Sequence, residues 1–339
     1  MTPNQAQAPA RPFRVAHDEA TAAAAFRHAV IAIGNFDGVH RGHRTLTAAA
    51  IARARRLGCP AAALTFEPHT RAYVRPQEPL FRLTDECAKL RLLAATGLDG
   101  AIVMRFDAEL AALSAQEFVR SVLADRLAVK GAAVGYDFHF GRDRGGSAES
   151  LAVEGEKHGF PVDIMPPLTE DGRAVSSSAI RDALKEGRVG DAAELLGYPW
   201  FVTQTVVHGD KRGRDLGYPT ANLRLDTACA LRHGIYAVRV GVGEKRYEAV
   251  ASFGRRPTFG NGAVLLEVFL FDFTGDLYGQ ALDVAFIEWI RPELRFDTVE
   301  ELIRRMHEDA AAARAALVRA PEAFPRLGSL SPPSPKQAH

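Results

Sequence analysis

Three cysteines, a formal net charge of +1 and no long apolar run are what this 339-residue sequence offers where other classes of protein need more. Cys59, Cys87 and Cys229 are far apart, odd in number and form no CxxC pair. That excludes a disulfide framework and a cysteine zinc site, and reads as buried free thiols in a reducing compartment. With 42 Lys and Arg against 41 Asp and Glu, no global field favours DNA, RNA or an anionic membrane. No apolar run approaches the roughly 18 residues needed to span a bilayer. Residues 1–12 are rich in Pro, Ala and Gln and lack the basic-then-apolar order of a secretory signal, so a cytoplasmic location is expected. The Pro- and Ser-rich stretch 325–339 is expected to be disordered.

What remains is ordinary globular composition, 47% apolar and 24% charged, at a length that suggests two domains of about 150 residues each. Up to about residue 187, apolar runs over 29–33, 61–66, 100–104, 132–135 and 162–165 alternate with helical patterns over 42–57, 84–95, 115–127 and 147–158. Leu46, Ala50, Ala54 and Leu57 make one stripe of the first helix. Thr84 and Ser114 stand as N-caps, and Ser114 with Glu117 completes a capping box. The alternation predicts a parallel, helix-covered sheet with its ligand beyond the carboxyl ends of the strands. A last helix over 189–196 leads into strand-like runs over 202–207, 235–242, 247–253, 264–271 and 282–290, closed by a helix over 299–318. Several strands without intervening helices predict an antiparallel barrel or sandwich.

The most informative stretch is Gly34-Asn35-Phe36-Asp37-Gly38-Val39-His40-Arg41-Gly42-His43. An apolar strand ends in a glycine-rich turn and a helix opens, where backbone N–H groups and the helix dipole favour an anion. His40 and His43 fall on one side of the first turn. Ser176-Ser177-Ser178 precedes a second helix, and Arg181 adds a fixed fork of donors. Two phosphate-suited helix starts fit a reaction that positions a polyphosphate and neutralises its leaving group, with no protein nucleophile. Taken singly, an HxxH pair is often two surface histidines and a serine run only a cap. A zinc site at His40 and His43 is the weaker reading, because metal histidines on helices more often sit at i, i+4 with a nearby Glu. Phe66-Glu67-Pro68-His69 and the run 135–142, Gly-Tyr-Asp-Phe-His-Phe-Gly-Arg, lie beyond other strands of the same half.

The second half carries its own set. His208-Gly209-Asp210-Lys211-Arg212-Gly213-Arg214 is a glycine-punctuated basic loop suited to phosphates, without the spacing of a P-loop. In the extended segment Pro219-Thr220-Ala221-Asn222, Thr220 and Asn222 point the same way and offer hard oxygens to Mg²⁺. Alternation over 264–271 puts Leu265, Glu267, Phe269 and Phe271 on one face, leaving Glu267 as the carboxylate of an apolar side. Burial there would raise its pKa and fit it to take a proton from a hydroxyl nucleophile. A solvated face, or an arginine partner for Glu267, is the competing reading.

Together these residues resemble the prokaryotic bifunctional riboflavin kinase/FAD synthetase family over about residues 30–314. The resemblance implies a Rossmann-like nucleotidyltransferase domain over 14–187 and a six-stranded Greek-key barrel of riboflavin kinase type over 188–320 with a closing helix. Disordered tails would cover 1–13 and 321–339. It implies that Gly34, Asn35, Phe36, His40, Gly42 and His43 form the adenylyl-transfer ATP site with Ser176, Ser177 and Arg181. Asp137 and Phe138 would lie on the flavin loop. Gly209, Lys211, Gly213 and Arg214 would hold the kinase nucleotide, Thr220 and Asn222 its Mg²⁺, and Glu267 would act as base. Substrates would be riboflavin, FMN and ATP, handled by a monomer or weak homo-oligomer without nucleic acid or membrane. Three departures from the family pattern stand out: Thr70 for a proline, Arg232-His233 where a proline is usual, and Phe269 for a histidine.

Overall fold

A computed structural model describes residues 12–17, 19–170, 172–208, 218–255 and 264–330. The chain divides into two compact units. The first takes the described residues up to Glu78, Lys89–Thr169, and those from Leu327; the second takes Pro79–Ala88 and Glu170–Arg326.

The first unit is built on a six-stranded sheet in the order β1-β4-β3-β2-β5-β8, every neighbouring pair parallel. Its strands are β1 (Arg14–Ala16), β2 (Val30–Ile33), β3 (Ala61–Glu67), β4 (Gly100–Arg105), β5 (Gly131–Gly135) and β8 (Val162–Met165). β2 is buried along its whole length, which is why a run of Val, Ile and Ala without alternation still makes a strand. The helices are α1 (Glu19–Phe26), α2 (Arg41–Leu57), α3 (Thr70–Val74), α4 (Glu86–Ala94), α5 (Ala108–Ala112), α6 (Ala115–Glu117) and α7 (Ala148–Lys157). Between β5 and α7 runs a minimal hairpin, β6 (His139–Phe140) with β7 (Gly146–Ser147). Because the connection after β2 runs to β3 on one side and that after its neighbour β5 runs to β8 on the other, the turn after β2 sits at the topological switch point where such sheets bind ligands.

A second hairpin, β9 (Thr169–Glu170) and β10 (Arg173–Ala174), leads to α8 (Ser177–Lys185) and α9 (Val189–Leu196). The second unit is then a closed barrel in the order β11-β12-β15-β14-β13-β16. Its strands are β11 (Phe201–Val207), β12 (Ala221–Leu225), β13 (Gly234–Val242), β14 (Lys245–Arg255), β15 (Val264–Leu270) and β16 (Ala281–Arg291), all paired antiparallel. β12 and β13, consecutive in the chain, are separated by two strands either way round the barrel, a Greek-key path. Trp200 stacks on Phe286, which meets Tyr236 edge-on, each at 5.1 Å between centroids, in the barrel core. The closing helix α10 (Val299–Arg319) is capped by Thr298 and packs Ala313, Ala316 and Leu317 against Ala237 and Phe271 on the outside of the wall.

The structure amends several expectations. The helix expected over 115–127 is a single α-turn followed by nine residues of π-helix, Phe118–Arg126. The wider coil brings Phe118, Val119, Val122 and Leu123 all into the core. Asp85, not Thr84, accepts from the Ala88 amide and caps α4. The cysteines are free, but none is fully buried: Cys87 is exposed, and Cys59 and Cys229 are half-buried. The tails are shorter than expected. Phe13, 4% exposed, bridges to Leu330, and the Gly328 amide donates to the Arg91 carbonyl at 2.8 Å. A Cβ on Gly328 would stand 2.6 Å from that of Ala94, so this docking requires glycine. Earlier in the same stretch, Arg239 donates to the carbonyls of Ala320 and Ala323, and Arg246 lies 3.6 Å above the Phe324 ring. The compact units part at 169/170 rather than at the functional boundary expected at 187/188. The α8 end joins the barrel side because Arg232 donates from its backbone to Leu184 and from its guanidinium to Glu186.

Candidate active sites

In the first unit, the turn from β2 to α2 carries Phe36 at φ 50°, Gly38 at φ 83° and Val39 at φ 37°. A left-handed β-branched residue is rare and persists only where its surroundings over-determine it. Phe36 and Val39 are fully buried, and their packing holds the turn. His40 is the N-cap of α2, its Nδ1 accepting the His43 N–H at 3.3 Å, and the two imidazoles stack at 3.7 Å. Phe36 lies 5.2 Å from the His43 ring. Burial, then the charges of His40 and Lys89, holds the His43 pKa well below the ordinary histidine value, so the ring is neutral at pH 7. Its buried Nδ1 has no hydrogen-bond partner. This is an anion-suited helix N-terminus whose His43 ring starts uncharged and would gain a proton as negative charge approaches.

Asn35 opens the same turn. Its carbonyl accepts from Thr65 Oγ1 at 3.2 Å, and its Oδ1 accepts from Thr70 Oγ1 at 3.2 Å. The departure at Thr70 therefore supplies a donor that proline lacks. Sequence reasoning missed Lys89. Its Nζ is buried between Glu67 Oε1 at 2.7 Å and Thr65 Oγ1 at 3.1 Å, and reaches the Asn35 carbonyl at 3.5 Å. In sequence it is one lysine in a helical stretch and gives no signal of burial. Beyond the neighbouring β5, Asp137 is exposed, while Phe138 is half-buried and stacks on Phe140 at 5.3 Å.

In the second unit, Ser176 caps α8 by accepting the Ala179 N–H at 3.2 Å, with Ser177 half-buried beside it. Arg181 is 9% exposed and its Nε donates to the Phe81 carbonyl at 2.6 Å. Part of the fork expected to meet phosphate is thus committed to backbone. In the barrel, Glu267 stands directly across the ladder from Asn222 on one side and Ser252 on the other. Residues directly opposite share a face, so Asn222, Glu267 and Ser252 form a polar row on the outer wall, with Leu266 and Val268 inside. Ser252 was not expected there. Glu267 is half-buried rather than fully buried. Asn222 is 8% exposed, and its amide nitrogen donates to the Thr220 carbonyl at 3.4 Å, which orients the side chain. Tyr218, next to this motif, shares a 2.7 Å hydrogen bond with His307 of α10 and packs at 4.7 Å on Phe269, where the family's histidine is missing. The other departure, Arg232, lies 4.0 Å above Trp289. Gly209, Lys211, Gly213 and Arg214 fall outside the described residues. Among the described residues no three His, Cys, Asp or Glu side chains gather as a metal set, and no helix is long and apolar enough to cross a membrane.

An anion-suited helix start on a parallel sheet, and a barrel with a carboxylate across the ladder from an asparagine amide, fit a transferase with two phosphate-handling modules. The comparisons agree in both halves. The FAD synthetase model matches residues 22–179 and the riboflavin kinase model residues 196–317. The chain is 41% identical over 286 residues to the bifunctional riboflavin kinase/FMN adenylyltransferase of Escherichia coli strain K12, covering 84% of this chain and 91% of that protein. It is 41% identical over 294 residues to the protein of the same name from Pseudomonas fluorescens, covering 85% and 93%. A crystal structure described as a macrolide-efflux protein from Streptococcus pneumoniae superposes with a TM-score of 0.76 at 33% identity over 85% of this chain and 94% of that one. This chain belongs to the bifunctional riboflavin kinase/FMN adenylyltransferase family.

Proposed function

We propose that the two halves perform consecutive ATP-dependent steps, with the functional boundary at 187/188 and the roles assigned below. The chain phosphorylates riboflavin to FMN and then adenylylates FMN to FAD. In the barrel, Glu267 accepts the proton of the ribityl 5′-hydroxyl as its oxygen bonds to the γ-phosphorus of ATP and ADP leaves. The loop 208–214, with Gly209, Lys211, Gly213 and Arg214, binds the nucleotide. The neutral oxygens of Thr220 and Asn222 beside a carboxylate are the hard donor set that Mg²⁺ takes when it shares nucleotide phosphates. Bound there, Mg²⁺ would neutralise charge developing on those phosphates. In the sheet domain, a phosphate oxygen of FMN attacks the α-phosphorus of a second ATP and pyrophosphate leaves. His40 and His43 stabilise that charge with Ser176, Ser177 and Arg181, while residues 34–36 and Gly42 shape the site and Asp137 and Phe138 meet the flavin. We place the reaction in the cytoplasm, in a monomer or weak homo-oligomer without nucleic acid or membrane partner, on the scattered free thiols and near-neutral charge.

The observation that carries this reading is the Asn222–Glu267 pair, which the barrel closes from two distant segments. Purified protein incubated with riboflavin, ATP and Mg²⁺ is expected to give FAD by way of FMN on chromatography. FMN alone would overturn the roles given to His40 and His43. No product from riboflavin, with FAD still formed from added FMN, would overturn the role of Glu267.

A further inference from the structure

A lysine is almost never fully buried unless it is paired, and a buried pair gives little net stability over apolar packing. Lys89 is 1% exposed. Its ammonium meets the carboxyl end of β3, at Thr65 and Glu67, and the first residue of the β2–α2 turn after Gly34. The two ends of that turn are held differently. Its far end is fixed by the buried Phe36 and Val39, both at positive φ. Its near end is polar and is gripped by side chains from three elements: Thr65 on β3, Thr70 on α3 and Lys89 on α4. A strained turn that must present N–H groups to an anion gains affinity when its bound shape is already populated, because apparent affinity falls with the competent fraction. Lys89 also supplies positive charge close enough to His43 to help keep that ring neutral.

We propose that Lys89 is a positioning residue for adenylyl transfer: paired with Glu67, it locks the Asn35 end of the turn 34–40 in the shape that receives ATP. The proposal rests on the reading of this turn as the adenylyl-transfer ATP site. The test measures FMN adenylylation and riboflavin phosphorylation side by side in the full chain. For Lys89→Met, the KM for ATP in FAD formation is expected to rise by about tenfold or more. Saturating ATP restores kcat to within about threefold, because the nucleotide itself then orders the turn. Riboflavin phosphorylation is unchanged and reports a folded protein. Since Lys89→Met leaves the Glu67 carboxylate without this partner, the double variant Lys89→Met/Glu67→Gln separates stability from positioning. Recovered melting temperature with a KM still raised supports the proposal. A KM that returns to the wild-type value along with the melting temperature overturns it and leaves a purely structural pair. Unchanged ATP KM in both variants overturns the proposal alone, whereas a wild-type chain that makes no FAD from FMN overturns the adenylyl-transfer reading and this proposal with it.

Discussion

The turn proposed for adenylyl transfer and the polar row proposed for the kinase step place their groups by opposite means. On the parallel sheet, the proposed site groups follow one strand in sequence: β2 ends, the backbone turns through positive φ at Phe36, Gly38 and Val39, and His40 caps the next helix. On the barrel, the groups come from strands that chain order separates, and only ladder register sets Asn222 and Ser252 against Glu267. A strand-end site is local and depends on the shape of one strained loop. A ladder site is non-local and depends on barrel closure. Damage to the shape of the first turn should therefore appear as lost nucleotide affinity, and damage to the second as lost proton transfer or metal binding.

That contrast can be broken at several points. Glu267→Gln should lower FMN formation by about 10²–10⁴-fold, the usual contribution of a positioned base, while added FMN is still converted to FAD. Loss of both activities in a folded variant would erase the distinction between the sites. His43→Ala should lower FAD formation by about 10²-fold, as removal of one transition-state donor does, and chromatography should show FMN accumulating. Asn222→Ala should raise the Mg²⁺ concentration for half-maximal FMN formation by about tenfold, since oxygen-donor count sets affinity for hard cations, with FMN adenylylation measured as the control.

A smaller effect concerns pH. The folded-state pKa of His43 lies well below its ordinary value, chiefly through burial. Below about pH 6.5 the unfolded chain therefore binds a proton that the folded chain refuses, and stability falls as pH drops through that window. The nucleotide-free protein should melt lower at pH 5 than at pH 7, and His43→Gln should narrow the gap; an unchanged gap would remove the neutral-histidine argument. Smallest of all, Ser114→Ala opens the capping box with Glu117. It should cost about 1 kcal/mol, read as a fall in melting temperature of a few degrees, and leave both activities intact.

Legibility differed along the same line. The strands of the first half were readable to within a residue or two because buried parallel strands are continuous apolar runs, as β2 and β3 are. β1 was missed because Arg14-Val15-Ala16 is too short and too polar to show a period. The Ser114 box announced itself through Glu117, whereas the box from Ser147 to Ser150 did not, because serine at the third position is a weaker signal than glutamate. Thr220 and Asn222 were visible as hard oxygens, but Tyr218 and its hydrogen bond to His307 were not, since α10 returns from far along the chain.

By itself the sequence determined the two-part organisation, the anion-suited turn before His40, and the lone carboxylate on the β15 face, because each follows from neighbouring residues and a fixed backbone period. Tertiary structure alone decided that Asn222 and Ser252 flank Glu267, that Arg181 spends its Nε on the Phe81 carbonyl, and that Lys89 is buried against Glu67. Those arrangements join segments that meet only when a sheet or barrel closes, and closure is set by the packing of the whole core rather than by any local pattern.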